Sequence, residues 1–202
     1  MAVKTFTTNE VLTSTDTNTY LTNGGLVSIV PTTVTNGSVT SGQATVRLSG
    51  TANTLTLNGI FSAAFEEYFV VARMTSASGD IYAQLTNSGT PINTNTYNFA
   101  MMQAYGGAGV TAVRTANTSA MTFFAMGAGT TAACASYIDI SGPFLAEPTL
   151  FTVQNNRSDG NYQTPANYLW YGNETGSTSC DGLKLFATGN IAGRIAIYGR
   201  RL

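Results

Sequence analysis

The chain has 202 residues, of which 9 are Lys or Arg, 10 are Asp or Glu and none is His, for a formal net charge of −1. Without an imidazole there is no Ser-His-Asp or Cys-His nucleophile system and no His-based zinc site, and without blocks of Lys and Arg there is no electrostatic capture of nucleic acid. The 43% of hydrophobic and 10% of aromatic residues suffice for one domain's core, while Thr, Ser and Asn, about a third of the chain, wet the surface with hydroxyls and amides rather than ions.

Residues 1–25 differ from the rest. Ser14 or Thr15 suits an N-cap, Asp16 falls in the first turn where the helix dipole favours a negative charge, and Gly24-Gly25 supply a stop. The helix between them, Thr17–Asn23, is about two turns and too short to stand alone in water, so it has to dock. The expectation is an N-terminal arm over 1–25 and a β body over 26–202. Met1 to Phe6 lacks the apolar run of a signal peptide. No stretch reaches the ~18 apolar residues of a membrane helix, since Ala120 to Ile140 is broken by Gly127, Gly129, Thr130 and Thr131. No membrane insertion is expected, and the chain is expected to stay in the compartment where it is made until something larger releases it.

From Leu26 onward the pattern is β. Leu26 to Val30 precedes Pro31. Val46 and Leu48 flank an outward Arg47, and Leu55 and Leu57 alternate with Thr54, Thr56 and Asn58. Tyr68 to Ala72 is apolar at both parities, which predicts a strand covered on both faces. Ser136, Ile138 and Ile140 share one face, with Tyr137 and Asp139 on the other. Near the end Ile191, Gly193, Ile195 and Ile197 alternate with Ala192, Arg194, Ala196 and Tyr198. Asn23-Gly24, Asn36-Gly37, Asn58-Gly59, Ser78-Gly79-Asp80, Asp159-Gly160 and Asp181-Gly182 punctuate these runs as turns. Many short strands at this spacing predict an all-β fold, a jelly-roll-like antiparallel β-sandwich with a short N-terminal helical arm and no further helix. Asn155 to Thr178 reads as the longest irregular stretch.

The chemistry-bearing residues are sparse. Glu66 and Glu67 would point to opposite faces of a strand and so cannot share a glycosidic bond; they suit solvated or edge-protecting charges. Asp80, Asp139, Asp159 and Asp181 have no calcium-loop spacing. The runs Gly106-Gly107-Ala108-Gly109 and Gly127-Ala128-Gly129 lack a phosphate loop's Lys-Ser/Thr, and Arg200-Arg201 makes a small solvated tip. Cys134 and Cys180 read as two small buried hydrophobes, with a single bridge as the alternative. No catalytic residue, metal ligand or cofactor is expected. Tyr162, Tyr168, Trp170 and Tyr171 carry the aromatic surface a receptor or a second subunit would use, or else pack within the fold.

Lys4 to Leu21 (KTFTTNEVLTSTDTNTYL) resembles the N-terminal signature of tailed-bacteriophage virion proteins of the minor tail or tail-fibre type, whose pattern is like TFTxGEVLTAADxNTYL. Phe61 to Val71, Ile138 to Thr149, Cys180 to Phe186 and Gly193 to Arg200 are similar to segments of the same family. The chain departs at Gly189 to Gly193, where relatives tend to have GxxTGT, and at Arg200, where they tend to have Tyr. The resemblance implies a non-enzymatic virion subunit without cofactor, assembled in the host cytoplasm. It is expected as a homotrimer that touches tail or capsid proteins through Phe6, Val11, Leu12, Tyr20 and Leu21 and contacts a host-surface glycan or protein, with no nucleic acid. A capsid decoration (cement) protein is the nearest alternative, and a glycan-degrading enzyme the distant one.

Overall fold

The computed structural model describes residues 25–40, 44–105, 109–124, 133–158 and 165–200. The described residues form fourteen strands and no helix. The first seven are β1 (Leu26–Ile29), β2 (Thr33–Thr35), β3 (Ser38–Val39), β4 (Thr45–Asn58), β5 (Glu67–Ser76), β6 (Ile81–Asn87) and β7 (Thr90–Pro91). The others are β8 (Tyr97–Tyr105), β9 (Val110–Thr118), β10 (Met121–Phe124), β11 (Cys134–Ser141), β12 (Thr149–Ser158), β13 (Pro165–Glu174) and β14 (Gly182–Arg200). All pair antiparallel in one sheet ordered β10-β6-β14-β5-β11-β12-β13-β8-β9, with β4 on the other edge of β14.

β14 organises the fold. Its first half, Gly182 to Ala187, pairs with β6 and its second, Ile191 to Arg200, with β5, while β4 follows both halves along the opposite edge. β5 and β6 therefore run end to end beside it. Where they meet, the β14–β4 ladder shifts register between Phe186 and Ile191 and again between Ile191 and Ala192, and the Ala77 amide donates to the Asn190 carbonyl at 2.8 Å. Gly50 (φ 83°) and Gly79 (φ 71°) supply the left-handed backbone that this bend needs and that a side chain would resist.

The bend lays the narrow part of the sheet, containing β6 and β10, over the inner face of the broad part. Phe123 of β10 meets Phe151 of β12 edge-on at 6.0 Å, and the Ser136 hydroxyl of β11 donates to the Phe123 carbonyl at 3.2 Å. The core lies between. Leu55, Leu57, Leu85 and Leu183 enter it from one side and Val70, Met74, Ile138, Val153 and Trp170 from the other, all within 1% exposure. Each large side chain so buried contributes about 1.5–3 kcal/mol against exposure. The Tyr97 hydroxyl, buried with them, accepts from the Leu85 amide at 2.8 Å and donates to the Ile92 carbonyl at 3.1 Å.

The alternations expected around Leu55, Ile138 and Ile195 are found, with their apolar parity inward. Three expectations change. Tyr68 to Ala72 is fully buried on one face only, because Phe69 and Val71 sit half-buried on the open outer face. The stretch expected to be irregular is largely strand, since β12 runs to Ser158 and β13 from Pro165 to Glu174. The strands are also not uniformly short: β4 has 14 residues and β14 has 19, because a bulged bend lets a strand pass from one part of the sheet to the other without ending. The expected helical arm, the turns at Asn23-Gly24 and Asp159-Gly160, and Gly106 to Ala108 and Gly127 to Gly129 lie outside the described residues.

Candidate functional site

Trp170 and Tyr168 face inward from β13, 1% and 4% exposed, their rings stacked at 5.2 Å with an interplanar angle of 11°. The Arg157 guanidinium lies 5.8 Å from the Tyr168 ring centre. Tyr171 is 52% exposed on the opposite face, as strand alternation requires of a neighbour of Trp170. The structure therefore does not assemble these three into one outward patch. Tyr162 lies outside the described residues, as do Phe6, Val11, Leu12, Tyr20 and Leu21.

Cys134 and Cys180 are buried free thiols. Burial pushes Cys134 up to about 11 and Cys180 up to about 12, so neither is a thiolate nucleophile near neutrality. The Asn155 amide donates to both Cys134 Sγ and Ser136 Oγ at 2.6 Å, pinning β12 to β11 from within.

Two carboxylates distant in sequence do share a face. Glu67 accepts from the Ser141 hydroxyl at 2.7 Å and from Arg200 at 3.1 Å, and Asp139 lies two residues from Ser141 on β11, on the same face. Desolvation raises the Asp139 pKa, with Arg200 opposing and Glu67 reinforcing the shift. Glu67 is thus paired within a sheet interior instead of guarding an edge, because β5 has a partner on each side, and Arg200 is tied down instead of simply solvated. Among the described residues no group of three Cys, Asp or Glu side chains is placed to hold a metal ion.

The same outer face carries a feature the sequence did not disclose. Arg194 of β14 pairs in register with Arg47 of β4 on one side and with Arg73 of β5 on the other. Three guanidinium side chains thus leave the sheet in one row, from Cα atoms about 5 Å apart. All three are exposed, and Arg47 Nε donates to the Thr40 hydroxyl at 3.1 Å. None lies within ion-pair distance of a carboxylate of the described residues. Like charges directly opposite each other on neighbouring strands destabilise the sheet. Beside the row, Ala135 and Ala196 are too short to fill the space between the arginines and Tyr137 and Tyr198, leaving a concavity of about 380 Å³. Tyr137 stacks on Phe69 at 6.3 Å and 16°, which extends its wall.

A second exposed feature is β9, the last strand of the broad part. It pairs with β8 through one edge, and seven of its nine residues are exposed, including Val110 at 71% and Val113 at 45%. Among the described residues nothing pairs with its other edge.

The chain matches no family model, no curated protein and no solved structure. The chemistry of these two surfaces rests on their geometry.

Proposed function

We propose that the chain is a non-enzymatic structural subunit of a tailed-phage virion. In this proposal it is a tail-associated fibre or adhesin subunit with a jelly-roll-like β-sandwich body, which joins copies of itself, and which contacts the particle through its N-terminal arm alone. The observation that carries the proposal is β9. A nine-residue strand with one charge, Arg114, an edge that no other described strand pairs with and apolar residues exposed on both faces is a template for another chain, and proteins that remain alone blunt such edges with Lys, Pro or a covering loop. A second copy of the chain is the occupant that closes it, in keeping with the symmetric assemblies expected of virion subunits. The scarcity of ionic groups fits a body whose contacts are made by strand edges and amide-rich surfaces.

Light scattering after size exclusion at micromolar concentration is expected to give a trimer for the parent chain and a monomer for Val113→Lys, which places a charge in the edge. A monomeric parent would sink the self-association. A second placement, capsid decoration, is favoured by the want of any repeated shaft-like element among the described residues. Copy number in purified particles separates the two: a few to a few dozen for a tail position, hundreds for the head.

A further inference from the structure

We propose that the row Arg47–Arg194–Arg73, with the concavity beside it, is a binding site for a saccharide that carries carboxylates. The proposal rests on the proposed function only in treating this face as the one turned toward a host.

Three observations point to this ligand. The row spans three neighbouring strands, about 10 Å from first to last. That length offers guanidinium forks to more than one anionic group, and a fork is the geometry that grips a carboxylate through two parallel hydrogen bonds. No carboxylate of the described residues neutralises the row, so among them a ligand's anions would meet no competitor. The concavity is walled by the half-exposed rings of Tyr137 and Tyr198, and a phenol presents a flat apolar face and a hydroxyl tip, matching a sugar ring's CH face and hydroxyls. Beyond Ala135 the row continues into the exposed amide of Asn156, and Gln154 lies opposite Tyr137, adding neutral donors and acceptors suited to further hydroxyls.

The layout also disfavours a nucleic acid. A phosphodiester chain running along the strands from the arginines would meet Asp139 and Glu67 at the far end of the face. Three arginines on a chain of net charge −1 also fall short of the continuous cationic track that single strands need. The saccharide therefore lies across the strands, following the arginines toward β11 and β12.

Calorimetric titration of the purified full chain with hexagalacturonate tests this, with maltohexaose, sulfate and hexathymidylate as the other probes. Hexagalacturonate is expected to bind, weaken markedly from about 50 to about 300 mM salt, and lose about tenfold or more in affinity with Arg194→Gln. Tyr137→Ser is expected to weaken it without changing the salt dependence. Arg194 is exposed between two like charges, so Arg194→Gln should unfold at no lower temperature than the parent. That readout separates lost binding from lost folding.

Several outcomes overturn the proposal: no binding, equal binding of maltohexaose, equal binding of sulfate or hexathymidylate, or indifference to Arg194→Gln. A change of oligomeric state in Arg194→Gln would put a second copy of the chain on this face and overturn it too, as would shortening of hexagalacturonate, which would mark a hydrolase. Copy number in particles is measured separately. A chain that binds the acidic hexamer but is absent from virions keeps this site and loses the proposed function, and the reverse result does the opposite.

Discussion

Trp170 and Tyr171 are adjacent, aromatic and physically opposite in role. Trp170 is 1% exposed and stacked on Tyr168, so Trp170→Ala should cost about 3–5 kcal/mol in denaturant unfolding. Tyr171→Ala, on the open face, should stay within about 0.5 kcal/mol of the parent. Similar losses from both would contradict the inward and outward placement. The arginine row shows where legibility in the sequence stops at this scale. Each arginine sits between inward-facing neighbours, Val46 and Leu48, Ala72 and Met74, or Gly193 and Ile195, so its outward direction could be read locally. That the three stand side by side depends on the register of strands far apart in the chain, and no local pattern encodes that.

At the scale of elements, β14 depends on Gly193. It adopts φ 137°, and a Cβ there would run into the Arg73 carbonyl oxygen and lie 2.9 Å from the Met74 Cα. Those are backbone atoms of β5, which cannot turn aside as a flexible side chain would. Gly193→Ala should therefore lose at least about 1–3 kcal/mol, measured by chemical denaturation, with the strain spread to both edges of β14. An unchanged midpoint would mean that the approach of β5 to β14 is looser than the structure has it. Strand boundaries were legible where one parity was apolar and the other polar, as in β11. They were lost in β13, where Tyr168 and Trp170 point inward and Leu169 and Tyr171 fill the other parity, so that alternation leaves no contrast. The 14 and 19 residues of β4 and β14 were hidden for a different reason. Gly50, with its left-handed backbone, and Gly189, where a Cβ would run into Ser78, lie inside β4 and β14, yet glycine is the same residue type that ends strands elsewhere.

For the whole molecule, the pH profile follows from having no histidine and several buried weak acids. Burial raises Tyr68 and Tyr97 above the ordinary tyrosine value, Cys134 to about 11 and Cys180 to about 12. A group whose folded pKa exceeds its unfolded one binds its proton longer when folded. Its contribution is fully present below the unfolded value, about 8.5 for a cysteine, and is lost as pH rises through the folded value. The unfolding midpoint should thus be nearly flat between about pH 6 and 8, then fall steadily from about pH 8.5 towards 12. Thermal melts across that range check it, and a step near pH 6.5 would contradict it.

The position of the two outermost described strand ends has a mechanical consequence. Leu26 opens β1 directly opposite Arg200, the last residue of β14, so whatever is joined to either end of the described body departs from one shared corner. Arg194 lies six residues back along the same strand, about 20 Å away. A body tethered at that corner holds its cationic row clear of the tether, and drawing the two ends apart loads the Leu26–Arg200 pair first, so that β1 would open from β14 pair by pair while β5 still holds Arg200 from its other side.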